Sequence, residues 1–274
     1  MSYPNMRLII DNVHDAASLT ATSEALPVDY TQRSGRSYVW RSTDTAEQII
    51  EATLSGTQYI DAIVLYRHNL SASATVRVEL LNGGSVVYDS GASAVAELIT
   101  PPSLRVGIDP WGATYNDAIP VALTMFWLPI TAVTGYRITI DDPANPDGFI
   151  QVGRIISGLS FSPRYNPAYG VQLTWQEGAE NRRTEAGSLR TITSNSKARL
   201  LNIDLNHLPN SDRVTLTTEL VKRGMGSDVF VSLYPEQGGV KEIEHAFLAK
   251  RNSDFSSTHD FYANWQSTIP FLEV

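Results

Sequence analysis

Residues 75–88 read Thr-Val-Arg-Val-Glu-Leu-Leu-Asn-Gly-Gly-Ser-Val-Val-Tyr, and this stretch decides the fold class. The apolar residues Val76, Val78 and Leu80 alternate with charged ones, as on a strand with one buried face. The Asn82-Gly83-Gly84 that follows supplies residues suited to positive φ, which a tight hairpin requires. The stretch therefore predicts two antiparallel strands joined by a short turn.

The same two-residue period recurs along the chain, whereas helix signals are weak. It predicts strands at 50–54, 60–64, 136–141, 201–205, 213–216, 228–233 and 242–245. The last of these carries Glu242 and Glu244 on one face, so we expect a solvated edge there. Many short strands with turn signals about every 8 to 12 residues predict antiparallel sandwiches. The expected fold class is all-β, with one antiparallel β-sandwich and a second, smaller β-sandwich domain.

A domain boundary is indicated where two prolines interrupt the strand pattern in Ser162-Pro163-Arg164-Tyr165-Asn166-Pro167. We therefore expect domains at 1–165 and 166–274. Residues 177–187 are charged and lack strand periodicity, which favours a solvated loop or a segment that orders on a partner. Arg182 and Arg183 within this segment are candidate interface residues, because arginine forms ion pairs with acidic partners.

Composition excludes several classes of protein. The chain has 274 residues, 21 basic against 29 acidic side chains for a net charge of −8, and no cysteine. Thiolate metal sites, cysteine nucleophiles and disulfide scaffolds are therefore absent, and the acidic balance argues against binding nucleic acid. No apolar run reaches the ~20 residues that cross a bilayer, and the N-terminus lacks the features of a signal peptide. We expect neither membrane insertion nor a signal peptide.

The basic residues are 17 arginines and only four lysines. Protein interfaces favour arginine, whose planar fork makes bidentate bonds, so this bias indicates a chain that contacts partners. A bias in codon composition explains it equally well.

The search for catalytic motifs finds no phosphate-binding glycine loop, no G-x-S-x-G elbow and no H-E-x-x-H. The five histidines lack the spacing that brings two imidazoles to one metal. We therefore predict that the protein is not an enzyme. A pair of carboxylates for glycoside hydrolysis stays open, because their separation depends on the fold and not on spacing in the sequence.

Two polar segments are candidate sites. Residues 109–117 combine aromatic and polar side chains, as in a sugar-binding loop, or as in a loop whose rings pack on the sandwich end or against a neighbouring subunit. The residues concerned are Trp111, Tyr115, Asn116 and Asp117. Residues 141–148 gather oxygen ligands that suit calcium, or form a proline-rich turn whose side chains bond their own backbone. The residues concerned are Asp141, Asp142, Asn145 and Asp147.

The run Ala62 to Val78 resembles the discoidin-like, galactose-binding-like jelly rolls of bacteriophage tail proteins. Tyr136 to Arg154 is similar to them as well, with an Arg-Ile-x-Ile-x-Asp strand, an Asn-Pro-Asp-Gly turn and an x-x-Gly-Arg strand. The resemblance covers roughly residues 40–165, and the remainder looks like the C-terminal β domain of such tail-tip proteins. Unlike animal discoidin domains, this chain has no cysteine pair, so no sugar-binding residue is carried over.

The resemblance implies a structural virion protein of a tail tip or baseplate, made in the bacterial host cytoplasm and acting in tail assembly. Its implied partners are other phage tail proteins and copies of itself, in a ring of three- or sixfold symmetry. The alternative function is a carbohydrate-binding adhesin that recognises a host surface glycan. No cofactor is expected under either function, apart from the calcium hypothesis.

Overall fold

The computed structural model describes residues 4–95, 98–99, 114–115 and 122–274. The strands of its first half are β1 (Arg7–Ile9), β2 (Ser18–Ala21), β3 (Trp40–Arg41), β4 (Gln48–His68), β5 (Thr75–Asn82), β6 (Ser85–Asp89), β7 (Ser93–Ala94), β8 (Leu98–Ile99) and β9 (Thr114–Tyr115). The later strands are β10 (Leu123–Asp141), β11 (Gln151–Gly158), β12 (Gln172–Arg183), β13 (Leu189–Pro209), β14 (Val229–Ser232), β15 (Ala246–Arg251), β16 (Thr258–Phe261) and β17 (Asn264–Glu273). The helices are α1 (Asn210–Arg223), α2 (Gly239–Glu244) and the 3-10 turns Val13–Ala16 and Val28–Gln32. No helix in these described ranges is long and apolar enough to cross a membrane.

The chain forms two compact units. Unit 1 comprises Met1–Ser162 and Phe230–Phe247, and unit 2 comprises Pro163–Val229 and Leu248–Val274. The first transition lies three residues before the boundary expected at residue 165. Residues 230–247, which the sequence assigns to the second domain, belong to unit 1.

Unit 1 is a sandwich built on two long strands, β4 and β10, that pair antiparallel along most of their length. The first half of β4 and the second half of β10 form one layer, which β2, β5, β6 and β7 extend. The other halves form the second layer, which β11 and β3 extend. The β4–β10 register shifts between Trp127 and Thr131 and again between Val133 and Gly135, where the strands pass from one layer to the other.

One hydrophobic core fills the space between the layers. Ile50 and Ala52 come from the first half of β4, and Ile63 and Leu65 from its second half. Alternate residues of the first half are buried, whereas residues 60–66 are buried without interruption. The predicted all-β antiparallel sandwich is therefore confirmed. The predicted hairpin at Asn82-Gly83-Gly84 is confirmed as well, with both glycines at positive φ.

A buried glutamate organises the segment 230–247 of unit 1. Residues 230–232 pair with β1, and α2 follows a turn. Glu242 of α2 accepts hydrogen bonds from Trp127 Nε1 at 2.9 Å, Glu236 N at 2.9 Å and Gly238 N at 2.7 Å. The strand predicted at 242–245 is wrong, because residues 239–244 form the helix α2. Glu242 is buried and does not lie on a solvated edge.

Unit 2 is a sheet with a helix packed on it. Strands β12, β13 and β17 are neighbours, while β16 and the end of β15 pair with the other side of β17. The strand predicted at 213–216 is wrong, because these residues belong to α1, which buries Leu216 and Leu220 one turn apart. A four-residue window shows a period of two by chance and misses this longer spacing. Arg199 and Glu273 form a fully buried ion pair at 2.6 Å.

Candidate functional site

Four segments of unit 1 meet at one end of the sandwich. β4 ends there at His68, β5 begins at Thr75, β10 ends at Asp141 and β11 begins at Gln151. We call the surface formed by residues 41–42, 67–74 and 141–151 the loop rim. Ends of sandwiches commonly carry binding sites, because loops vary while the sheets hold them in place.

Asn69 is the centre of the hydrogen-bond network of the loop rim. Its side-chain amide donates to Asp147 Oδ2 and to Phe149 O, both at 2.9 Å. Its side-chain carbonyl accepts from Gln151 N at 2.7 Å, and its backbone carbonyl accepts from Asn145 Nδ2 at 3.0 Å. Asn69 therefore fixes the 142–150 turn against the end of β4.

The acidic turn that the sequence offers for calcium lies in the loop rim. Asp142 is fully buried, and its carboxylate accepts from Ser71 N, Ser71 Oγ and Asn145 Nδ2. Asp141 and Asp147 are exposed. Nowhere in the described parts of the chain do three histidine or acidic side chains cluster so as to hold a metal. The bonds of Asp142 support the structural alternative, in which the turn bonds its own neighbourhood.

An arginine covers a half-exposed aromatic ring on the loop rim. The Arg41 guanidinium lies 4.1 Å from the centre of the Phe149 ring, and its Nη2 donates to Gln151 Oε1 at 2.9 Å. Ser42 secures this arrangement by exchanging hydrogen bonds with Ile150. A flat surface with hydrogen-bonding groups beside it is the result.

Backbone strain and a neutral histidine lie next to this surface. Arg67 has φ of 59°, in the left-handed region that residues with side chains seldom occupy. His68 Nδ1 accepts from Leu70 N at 3.3 Å, so the proton sits on Nε2, which donates to Thr124 Oγ1 at 2.9 Å. Burial lowers the pKa of His68 to about 4, against the opposing effect of the Asp142 charge. His68 is therefore a neutral positioning group at physiological pH.

The candidate aromatic loop lies largely outside the described residues. This applies to Trp111, Asn116 and Asp117, while Tyr115 is described only through its pairing with Leu98. The flanks of the loop are described, however. Val95 N donates to Ala74 O at 3.1 Å, and Ala122 O accepts from Arg67 N at 2.8 Å. Both described flanks of the loop therefore bond to residues of the loop rim.

The outer face of the first layer carries a network of ion pairs. Arg137 bonds Glu51 at 2.6 Å and Glu79 at 3.3 Å, while Arg77 bonds Glu79 at 3.1 Å and Asp89 at 2.6 Å. The hydrogen bonds from Arg77 lower the pKa of Asp89 to about 2. These side chains satisfy one another, so we do not place a ligand on this face.

Arg182 and Arg183 belong to unit 2 and not to the unit that carries the loop rim. Both belong to β12, so the loop predicted at 177–187 is wrong for residues 177–183. Only 184–188 form the turn, with Gly187 at positive φ. The strand shows no apolar period because both of its faces are exposed here. The Arg182 guanidinium donates two hydrogen bonds of 2.9 Å to the Glu180 carboxylate. Arg183 Nη1 donates to Gly187 O at 3.4 Å.

Sequence reasoning missed Asn69, Arg41 and Phe149. Asn69 had one signal, since it lies three positions after the largely apolar run 60–66 and directly after His68, where the strand ends. Arg41 and Phe149 are 108 positions apart in the sequence and had none.

No family model matches the sequence, and no curated protein matches it. Solved structures with some likeness include the lectin domain of lectinolysin complexed with Lewis B antigen, at 12% identity and a TM-score of 0.38, covering 58% of this chain and 98% of that one. A family 32 carbohydrate-binding module of NanJ from Clostridium perfringens, in complex with galactose, has 12% identity and a TM-score of 0.37, covering 56% and 98%. A fucose-binding module of Streptococcus pneumoniae, SpX-3, has 9% identity and a TM-score of 0.37, covering 54% and 98%. Values this low show neither a family nor a ligand for this chain.

Proposed function

We propose that the chain is a carbohydrate-binding protein whose ligand contacts the loop rim. The observation that carries the proposal is the set of polar side chains around the half-exposed Phe149 ring and the Arg41 guanidinium. Sugars present hydroxyl groups around an apolar ring face, so their sites combine a flat group with donors and acceptors beside it. Asp147 supplies an exposed acceptor next to this flat group, and Ser73 supplies an exposed hydroxyl.

The rigidity of the loop rim supports binding as well. Asn69, Asn145 and Asp142 are held by hydrogen bonds within the protein, so the loops are ordered before a ligand arrives. Little conformational entropy is then lost on association. Trp111 lies outside the described residues, and the sequence-based expectation of a sugar contact there stays a prediction.

Saturation-transfer difference NMR with galactose, N-acetylgalactosamine, fucose and glucose tests the proposal. We expect transfer to at least one of these sugars, and a loss of about tenfold or more in affinity for Asp147→Ala, because a charged hydrogen bond is removed. Asp260→Ala is the matched control, since it removes an exposed aspartate that belongs to unit 2 and not to the loop rim. Equal affinity of Asp147→Ala, Arg41→Ala and the native chain would overturn the proposal.

Binding rather than catalysis is the proposed activity. Of the rim carboxylates, Asp142 is buried and bonded to three donors, which disfavours a part in glycoside hydrolysis. Incubation with a bound oligosaccharide should release no new reducing ends above a buffer control. Release above that control would make the protein an enzyme.

A second candidate function is structural assembly, and the exposed β12–β13 hairpin of unit 2 favours it. A hairpin with both faces in solvent is typical of a segment that orders on a partner. The resemblance of residues 40–165 to tail proteins adds the prediction that this partner belongs to a bacteriophage tail. Immunogold electron microscopy of phage particles tests it, with label expected at the tail end. Absence of label on intact and disassembled tails would contradict it.

A further inference from the structure

The hairpin formed by residues 176–193 extends the sheet of unit 2 without cover. Every side chain from Gln176 to Arg183, and from Leu189 to Thr193, is exposed. We call this segment the hairpin arm. An isolated two-stranded hairpin is marginally stable in water, so the arm gains stability from any strand that pairs with it.

One edge of the hairpin arm is available for pairing. β12 is the last strand in the order of its sheet, and among the described strands it pairs with β13 alone. Its outward backbone groups therefore form a template for another strand. No proline interrupts β12, and it has only one register shift, between Glu177 and Ala179.

The charges of β12 determine which strand fits this edge. Glu180 and Arg182 lie on one face of the strand, opposite Ile192 and Arg190 of β13. When β12 is placed antiparallel beside a copy of itself with Asn181 on the twofold axis, Glu180 of each copy faces Arg182 of the other. Opposite charges that face each other across strands stabilise the pair, and like charges destabilise it.

Registers with the twofold axis at a neighbouring residue bring like charges together. Moving the axis to Glu180 brings two glutamates face to face, and moving it to Arg182 brings two arginines face to face. A shift by a single residue reverses the faces of one strand relative to the other. The strand is therefore self-complementary in one register near its end.

We propose that two copies of this chain associate through antiparallel pairing of their β12 strands, centred on Asn181. The interface is isologous, so it closes after two copies. It goes beyond carbohydrate binding, since a dimer carries two loop rims, and two linked sites raise avidity for a multivalent ligand without a new sugar contact. It also assigns the first partner of the hairpin arm as a second copy of the chain.

Charge exchange tests the register. Glu180→Arg and Arg182→Glu each place two like-charged pairs at the interface, and we expect either change to weaken dimerisation about tenfold or more. The double variant Glu180→Arg with Arg182→Glu restores both opposite pairs and should dimerise like the native chain. Sedimentation equilibrium over a range of concentrations measures this, and circular dichroism confirms that each variant is folded.

A cysteine at the axis gives an independent measurement, because the chain has none of its own. In the proposed pair two Asn181 residues face each other, about 4.5 to 5.5 Å apart at Cα, which a disulfide can span. Asn181→Cys should form a linked dimer on mild oxidation. Thr191→Cys is the control, since Thr191 lies opposite Asn181 on β13 and away from the axis.

Three results would overturn the proposal: a native chain that is monomeric at every concentration, equal crosslinking of the two cysteine variants, or a double charge variant as weak as the single ones. None of them bears on the sugar measurement, which is made on monosaccharides that one loop rim can hold. The two proposals therefore fail separately.

Discussion

His14 lies in the interior of unit 1 with both ring nitrogens bonded. Thr31 Oγ1 donates to Val28 O at 2.7 Å and must therefore accept from His14 Nε2, at 2.8 Å. His14 Nδ1 in turn accepts from the hydroxyl of Tyr136, which accepts from Ser157 Oγ at 3.1 Å. Each side chain in this hydrogen-bonded series has its partners while the His14 imidazole is neutral. Burial lowers the pKa of His14 to about 3.

This histidine and His68 predict a loss of stability in mild acid. Both have folded pKa values below the ordinary 6.5, at about 3 and about 4. Below pH 6.5 the unfolded chain therefore binds more protons than the folded chain. The free energy of unfolding then decreases as the pH is lowered, by on the order of 1.4 kcal/mol per pH unit for each histidine. Urea unfolding at pH 7.5, 6 and 5 measures this slope.

His68→Gln should retain the contribution of His14 and so lose about half of the slope. A free energy of unfolding that is equal at pH 7.5 and pH 5 would contradict the neutral state of both imidazoles.

At the scale of elements, the end of β11 lies in close contact with the chain that follows β1. A Cβ atom built on Gly158 would lie 2.3 Å from Asp11 O and 3.2 Å from Ile9 Cγ2. Asp11 O is a backbone atom, so it cannot be moved by a change of side-chain rotamer. Gly158→Ala should therefore lower the free energy of unfolding by about 1 to 3 kcal/mol.

Gly56→Ala is the matched control for this substitution. Gly56 lies in the bend of β4, where no atom comes within 4 Å of an added Cβ. Urea unfolding of both variants should show a loss of stability for Gly158→Ala alone. Equal stability of the two variants would show that β1 and β11 can separate without cost.

The elements that sequence reasoning predicted share one property, a single buried face. Residues 76–80 alternate because one face of β5 meets the core, and this pattern is visible without a structure. β12 lacks the pattern because its outer part is exposed on both faces, so its strand is held by backbone pairing that leaves no trace in the sequence. The sequence predicts a strand at 213–216 because four residues are too few to separate a period of two from a helix.

For the whole molecule, the sequence indicated the layers of unit 1 but not the loop rim. Asp142 and Asn145 were recognised as polar, yet their bonds to residues 69–71 depend on how the strands end. Arg41 and Phe149 meet only because β3 pairs with β11. Likewise, nothing in the order of residues showed that 230–247 joins unit 1, since this depends on the pairing of β14 with β1.

A glycan array tests the proposed binding of carbohydrate at the loop rim. The native chain is compared with the double variant Arg41→Ala and Asp147→Ala, and with Tyr59→Ala at the other end of the sandwich, where the Tyr59 side chain is 58% exposed. We expect the native chain and Tyr59→Ala to bind the same class of glycan, and the double variant to bind it at least about tenfold more weakly. A folded native chain that binds no glycan, or a double variant that binds as the native chain does, would contradict the account.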